Sequence, residues 1–227
     1  MMLKLTAITI AAAAGLGGLA GFASSNSTNP TPTPATTAAT LAPASATGAV
    51  AATEAERYTV DTVHTSALFR IRHADVAPFW GRFDKVTGSL HLDESNMTLS
   101  DVVVDIDVSS IHTGNGDRDD HVRDADFFNA RQYPTSTFRS TGFSPDGEGG
   151  GTLSGELTLH GVTRPVTAAV REISTGSFRN SPKMGFEAEF EFKRSDFGIT
   201  KYVADDGGDS GILGNTVRII IALEGNG

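Results

Sequence analysis

The stretch MGFEAEFEF, residues 184–192, decides the fold class of this chain. Every second residue is apolar, from Met184 to Phe192, and the residues between them are glycine or glutamate. A period of two is typical of a β-strand that buries one face and exposes the other. The stretch therefore predicts a strand of an antiparallel sheet with one apolar side.

The same alternation recurs through most of the chain. It is found in residues 67–73, 88–93, 102–109, 153–159, 166–173 and 217–223. Short turn segments such as Asp146-Gly147, Ser181-Pro182 and residues 205–211 separate these stretches. About eight strands with short connections predict an all-β antiparallel barrel or sandwich. A barrel of about eight strands is just wide enough to hold one slender ligand.

One segment breaks this pattern, SSIHTGNGDRDDHVRDADFF at residues 109–128. Val122, Ala125 and Phe128 follow one another at intervals of three, which is helical spacing. Asp117 lies in the first turn, where a carboxylate complements the positive end of the helix dipole. We therefore predict one short helix that carries Phe127 and Phe128 and braces the barrel.

The N-terminal region is predicted to contain two segments that do not belong to the barrel. Residues 1–23 combine one lysine, a long Ala/Leu/Gly/Ile run and small residues at Gly21 and Ala23, which is typical of a cleaved signal peptide. Residues 24–56 are a Thr/Pro/Ala/Ser tract, typical of a disordered spacer. The folded domain is predicted for residues 57–227, in the periplasm or outside the cell. The alternative is an uncleaved N-terminal anchor; with cleavage, no integral membrane domain is expected.

Composition excludes several classes of protein. The net charge of −9 and the lack of a Lys/Arg cluster argue against nucleic acid and against peripheral binding to an anionic bilayer. They leave open an uncharged lipid held inside the fold. The chain has no cysteine, so neither disulfides nor cysteine chemistry contribute and the core must supply the stability.

Seven motifs in fixed order give the chain a family resemblance. They are Asp61-x-x-His64, Gly81-x-Phe83, Ser110-Ile111-x-Thr113-Gly114, Arg118-Asp119-x-His121-Val122-Arg123-x-x-Asp126-Phe127-Phe128, Tyr133-Pro134-x-x-x-Phe138-x-Ser140, Leu157-Thr158-Leu159-His160-Gly161-Val162-Thr163-Arg164-Pro165-Val166 and Arg194-x-Asp196-Phe197-Gly198. With them the chain resembles the YceI family of secreted lipid-binding proteins over nearly all of residues 57–224. Thr65 and Val122 depart from the family's usual Ser and Leu but keep a hydroxyl and an aliphatic side chain.

The resemblance implies an eight-stranded, lipocalin-like antiparallel barrel that binds an isoprenoid lipid or a quinone-like ligand. We predict no catalysis and no cofactor, and no metal because HExxH and paired-histidine spacings are absent. A homodimer is compatible with the resemblance. The residues expected to contact the ligand lie on the inner strand faces, on the helix or at the barrel rim. They are Phe69, Ile71, His73, Phe79, Trp80, Phe83, Leu90, Ile106, His121, Phe127, Phe128, Phe138, Leu157, Phe186 and Phe190.

The basic residues of the motifs have two interpretations. One or two of them could contact a polar head group; the candidates are His64, His73, Arg118, His121, Arg123, His160 and Arg194. Alternatively they form hydrogen-bonded pairs with the aspartates that accompany them in the motifs, and so tie the helix to the barrel. Arg118 and Asp126 fit the structural interpretation best.

Two other classes of function stay open. An isomerase or dehydratase could use a His and an Asp in an apolar cavity. The nucleophile-elbow, P-loop and dinucleotide-binding motifs are absent, so those enzyme classes have no support. A structural surface protein displayed on the spacer would instead have a filled barrel.

Overall fold

The computed structural model describes residues 55–227, and its strands form one antiparallel sheet. The strands are β1 (Glu56–Val60), β2 (Ser66–His73), β3 (Ala77–Phe83), β4 (Val86–Asp93), β5 (Thr98–Asp107), β6 (Ile111–His112), β7 (Thr135–Pro145), β8 (Gly151–Leu159), β9 (Val162–Phe178), β10 (Ser181–Lys193) and β11 (Leu213–Asn226). The predicted signal peptide, 1–23, and residues 24–54 of the predicted spacer lie outside the described residues, so both stay predictions.

Eight of these strands close into a barrel. Their order is β1-β4-β5-β7-β8-β9-β10-β11, and β1 pairs with β11 through Thr59 with Asn226 and Val60 with Gly225. The remaining strands continue from β11 in the order β2-β3-β6. The predicted eight-stranded antiparallel barrel is thereby confirmed. Closure matters because it leaves the ring without a free hydrogen-bonding edge.

The alternation of apolar and polar residues also correctly predicted which side chains are buried. In β10, Met184, Phe186 and Ala188 are buried, whereas the residues between them are more exposed. The strand pairs with β9 on one side and with β11 on the other, so its apolar face turns into the barrel. One boundary was wrong: the β9–β10 turn lies at Arg179 and Asn180, both at positive φ, and residues 181–182 already belong to β10.

The helix is shorter than predicted. Helix α1 spans Gly116–Arg123, and the Asn115 side chain caps it by accepting a hydrogen bond from the Arg118 N–H. Phe127 and Phe128 therefore follow the helix in a turn segment and do not lie on it. The chain turns at Asp124, whose N–H bonds the His121 carbonyl. Two 3-10 turns, Val108–Ser110 and Arg194–Phe197, were not predicted.

The interior is filled at one end of the barrel only. The filled end contains Tyr58, Leu92, Leu99 and Met184, which are almost fully buried. A side chain at Gly225 would place its Cβ 3.1 Å from the Tyr58 Cβ, so this glycine permits Tyr58 to pack against β11. The Tyr58 hydroxyl donates a hydrogen bond to Glu94 (2.9 Å). Burial and the neighbouring glutamates raise the pKa of Tyr58, which keeps the phenol protonated.

Candidate functional site

The other end of the barrel is hollow. It contains a cavity of about 710 Å³, a volume in the range of pockets for small organic ligands. Its walls are the inward faces of the strands, and its floor is the filled end around Tyr58. The cavity excludes a completely filled barrel, the arrangement that a purely structural protein would have.

Most of the predicted ligand-contacting residues line this cavity. Thirteen of them do so: Phe69, Ile71, His73, Phe79, Phe83, Ile106, His121, Phe127, Phe128, Phe138, Leu157, Phe186 and Phe190. Ten of them come from strands that are far apart in the chain, and antiparallel pairing brings the apolar faces of these strands together; His121, Phe127 and Phe128 come from α1 and the turn after it. Whether they contact a ligand stays a prediction.

Two predicted residues lie elsewhere. Leu90 is paired with Tyr58 in the filled end and packs in the core below the cavity. Trp80 is 47% exposed and lies on the outer face of β3, because it neighbours Phe79, whose side chain points inward. Period-two alternation alone could have predicted the outward position of Trp80.

Other lining residues were not predicted to be part of the site. Ala168 and Ala188 lie on the apolar faces of β9 and β10, so alternation was the available signal. Ile199, Tyr202 and Ile212 also line the cavity, but they belong to the irregular segment 199–212. No periodic signal exists for such a segment, and only the folded chain brings it to the cavity.

Helix α1 with the turn after it and the segment 199–212 form part of the cavity mouth. The Phe127 ring contacts both: its centroid lies 5.1 Å from that of His121 and 6.1 Å from that of Tyr202. Lys201 bonds Asp126 at 2.9 Å and so joins the two segments directly. The hydrogen bond from Lys201 lowers the pKa of Asp126, which keeps this pair ionised near neutral pH.

Arg194 holds the segment 199–212 in place. Arg194 is 3% exposed, and its guanidinium donates hydrogen bonds to four backbone carbonyls; the acceptors are those of Ile199, Lys201, Leu213 and Gly214. Burial lowers its pKa to about 10, so it stays charged at neutral pH. Arg194 was a predicted head-group candidate, but most of its donors are already used by the backbone, which assigns it a structural role.

Arg118 is available to a ligand. Its Nε donates to Thr113 Oγ1 (2.9 Å) and its Nη2 donates to the Thr113 carbonyl (2.8 Å). Of the five guanidinium N–H groups, these two bonds leave three. The guanidinium lies over the Phe79 ring, 4.6 Å from its centroid, and lines the cavity. The predicted pairing of Arg118 with an aspartate is wrong: within residues 55–227 it forms no ion pair.

A buried carboxylate fixes the orientation of Arg118 indirectly. Asp119 accepts hydrogen bonds from the Thr113 backbone N–H (2.7 Å) and hydroxyl (2.5 Å), and the same hydroxyl accepts the Arg118 Nε–H. Burial opposes the ionisation of Asp119, but the hydrogen bonds from Thr113 outweigh it and hold its pKa below the usual value. The three residues form one chain of hydrogen bonds that orients the guanidinium.

The cavity lining has basic side chains and, within the described residues, no carboxylate. Arg118, Arg194, His73 and His121 line the cavity, whereas no Asp or Glu of residues 55–227 does. The chain as a whole has 27 acidic residues against 18 Lys and Arg. Arg118 and Arg194 therefore give the cavity interior positive charge inside an acidic protein, and an anionic head group that enters the cavity would be attracted to it.

The remaining candidates lie away from the cavity lining. Arg123 donates to the carbonyls of Ser109 and Ile111, and so ties α1 to β6. His160 Nδ1 lies 3.0 Å from the Phe197 carbonyl. His64 contacts Asp61 (3.0 Å), as the structural interpretation predicted, at the filled end of the barrel.

The geometry bears on two other kinds of site, a metal site and a catalytic His–Asp pair. Asp61, His64 and Glu224 lie close enough to share a cation, but the Lys183 ammonium already bonds both carboxylates, at 3.0 and 2.9 Å. The hydrogen bonds from His64 and from Lys183 lower the pKa of Asp61. A catalytic His–Asp pair at the cavity would have to be His121 and Asp126, which are 3.8 Å apart, beyond hydrogen-bond distance.

In the part of the chain from residue 55 onward, none of the helices has the length and apolar character needed to span a membrane.

Comparisons with known proteins agree with this architecture. The YceI-like domain family matches residues 58–225. Protein YceI of Escherichia coli O17:K52:H18 is 37% identical over 163 residues, which cover 71% of this chain and 81% of that protein.

Two solved structures share the fold. Burkholderia cenocepacia BcnA superposes with a TM-score of 0.61 at 24% identity and covers 73% of this chain and 98% of its own. A polyisoprenoid binding domain from Saccharophagus degradans, implicated in plant cell wall breakdown, superposes with a TM-score of 0.55 at 17% identity; it covers 74% of this chain and 97% of its own.

Proposed function

Because this chain belongs to the family of YceI-like domains, we propose that it binds a polyisoprenoid or a similar amphiphilic lipid inside its barrel and transports or stores it without catalysis. The observation that carries the proposal is the cavity of about 710 Å³ with predominantly aliphatic and aromatic walls. The name of the Saccharophagus degradans neighbour, a polyisoprenoid binding domain, supports the same ligand class.

The physical basis of binding is the burial of apolar area. Each buried CH₂ contributes about 0.8 kcal/mol, so four isoprene units give a gross figure near 16 kcal/mol. The loss of translational freedom and the ordering of a flexible tail oppose this term. The net binding free energy is compatible with a dissociation constant between micromolar and nanomolar. The floor around Tyr58 would set the longest tail that fits, because an apolar cavity selects by depth.

The direct test is native mass spectrometry of residues 55–227, purified without detergent, followed by organic extraction. All described strand pairings and both apolar clusters lie within these residues. We expect a co-purifying prenyl lipid or uptake of an added prenyl lipid at a one-to-one ratio. An unchanged mass after prenyl lipids have been offered would contradict the proposal.

Phe69→Ala should weaken uptake while the barrel stays folded. Phe69 lines the cavity, packs on Phe83 (5.8 Å between ring centroids) and is only half-buried, so its loss removes contact area without exposing the core. We expect about tenfold weaker binding of a prenol. Phe178→Ala is the matched control, because Phe178 is exposed at the opposite end of the barrel. Equal affinities for the two variants would contradict the placement of the tail.

Arg118→Gln should remove a preference for an anionic head group. The three free N–H groups of Arg118 can bind a phosphate at the cavity mouth, and hydrogen bonds to charged groups contribute about tenfold to a hundredfold in affinity. We expect the wild type to bind a prenyl phosphate more tightly than the prenol of equal length, and Arg118→Gln to bind both alike.

Arg179→Gln provides the control for that experiment. Arg179 also lies over a phenylalanine, 5.1 Å from the Phe178 ring centroid, but at the far end of the barrel. The preference should survive in this variant. A phosphate preference that also persisted in Arg118→Gln would show that Arg118 does not bind the head group.

Export is part of the proposal. The sequence predicts that a signal peptide is cleaved after Ala23, which would place the lipid binder in the periplasm or outside the cell. N-terminal sequencing of the protein recovered from the producing cells should begin at Ser24. A protein that begins at Met1 and stays with the membrane fraction would support the uncleaved anchor instead.

A further inference from the structure

Exposed apolar side chains cluster around the cavity mouth. Of the six large apolar residues exposed in residues 55–227, four come from segments that surround it: Val76, Trp80, Tyr202 and Ile212. Tyr202 and Ile212 are 43% and 59% exposed and also line the cavity, so they lie where the cavity meets solvent. We call these four residues the mouth rim.

Hydrogen bonds join the β2–β3 turn, which carries Val76, to the segment that carries Ile212. Val76 lies in the turn between β2 and β3, and the neighbouring Ala74 N–H donates to the Ile212 carbonyl (3.0 Å). The Gly211 N–H donates to the Asp75 carboxylate (2.7 Å). The side chains of Val76 and Ile212 therefore project from one connected surface, where Val76 is 82% exposed.

We propose that the mouth rim docks the barrel on a lipid bilayer of low net charge, so that a lipid passes between the membrane and the cavity without crossing water. The proposal rests on the proposed function for the identity of the lipid. A long apolar tail cannot pass through the hydrogen-bonded barrel wall, so the mouth is its route. An aqueous route would expose the whole tail to water at about 0.8 kcal/mol per CH₂.

The chemistry of the rim favours a bilayer over a protein surface. Trp80 and Tyr202 carry an apolar ring with a polar group, the combination that is enriched at membrane interfaces. Asp205, Asp206 and Asp209 are exposed just before Ile212 and would repel anionic lipids. The partner surface is therefore a zwitterionic bilayer.

The opposite end of the barrel supplies a matched control. Val63 is 81% exposed, nearly the same as Val76, but it lies in the β1–β2 turn at the filled end. Val76→Asp and Val63→Asp thus add the same charge at equally exposed valines, and neither valine lines the cavity. A difference in vesicle docking between the two variants would therefore be due to the charge at the mouth rim.

The test uses residues 55–227 and phosphatidylcholine vesicles. Trp80 is the only tryptophan of the chain, so its emission reports docking even without a bound lipid. We expect vesicles to shift the emission to the blue in the wild type and in Val63→Asp, but not in Val76→Asp. Transfer of a prenol from vesicles should slow about tenfold in Val76→Asp only. Uptake of a short prenol from solution should be equal in all three.

The outcomes separate docking from lipid binding. A blue shift without prenol uptake would support docking and contradict the proposed function. Equal shifts and equal transfer rates in both aspartate variants would overturn docking while leaving lipid binding intact. An emission shift that depends on protein concentration in the absence of vesicles would overturn it too, because it would assign the rim to a second copy of the chain.

Discussion

Phe186→Asp should abolish lipid uptake and lower the free energy of unfolding by more than about 4 kcal/mol. Phe186 is 7% exposed, packs in the core and lines the cavity beside Leu223, its cross-strand partner on β11. The change removes a phenyl ring and places a carboxylate on an apolar wall that offers it no partner. Urea denaturation followed by circular dichroism measures the stability, and native mass spectrometry measures the uptake.

The control for this prediction is Thr167→Asp. Thr167 is exposed on the outer face of β9, so it receives the same charge without entering the cavity. We expect its stability and uptake to stay near those of the wild type. Phe186→Asp that still took up lipid normally would show that the tail does not occupy this part of the barrel.

Arg194→Ala should release the mouth segment and destabilise the barrel by more than about 3 kcal/mol. The substitution removes the donors of four backbone carbonyls in residues 199–214 and leaves them unsatisfied in a buried site. Amide hydrogen exchange should rise most in residues 199–214, and prenol uptake should fall because Ile199 and Tyr202 lose their positions on the cavity wall.

Two further variants test the reason for this effect. Arg194→Lys should restore little, since one ammonium cannot reach four carbonyls in the geometry that a planar guanidinium spans. Arg218→Ala removes an arginine that pairs with Glu189 and Glu191 on the outer surface, and its stability should change little. If Arg194→Ala lost no more stability than Arg218→Ala, the backbone bonds of Arg194 would not be what holds the segment.

Alternation of apolar and polar residues predicted the fold class and most of the cavity wall. Phe69 and Ile71 are two residues apart, and on any strand such residues share a face. The pattern is local, so it can be recognised without knowing which strand pairs with it. The helix was predicted less well, because Asp124 ends it before the aromatic pair Phe127-Phe128, which helical spacing had assigned to it.

Alternation could not show whether an inward strand face packs in a filled core or borders a cavity. Leu90 and Phe69 have the same inward pattern, but Leu90 packs against the filled end and Phe69 borders the cavity. The difference depends on the summed side-chain volumes of strands that are far apart in the chain. Tyr58 fills one end because Gly225, 167 positions later (225 − 58), leaves room for it.

The sequence by itself determined the all-β fold class, the inward strand faces and membership of the YceI-like family. It did so because period-two alternation and ordered motifs are properties of neighbouring residues. The tertiary structure decided where the barrel is hollow, that Arg118 bonds Thr113 and not an aspartate, and that Tyr202 and Ile212 reach the mouth. These features depend on contacts between segments that only chain folding brings together.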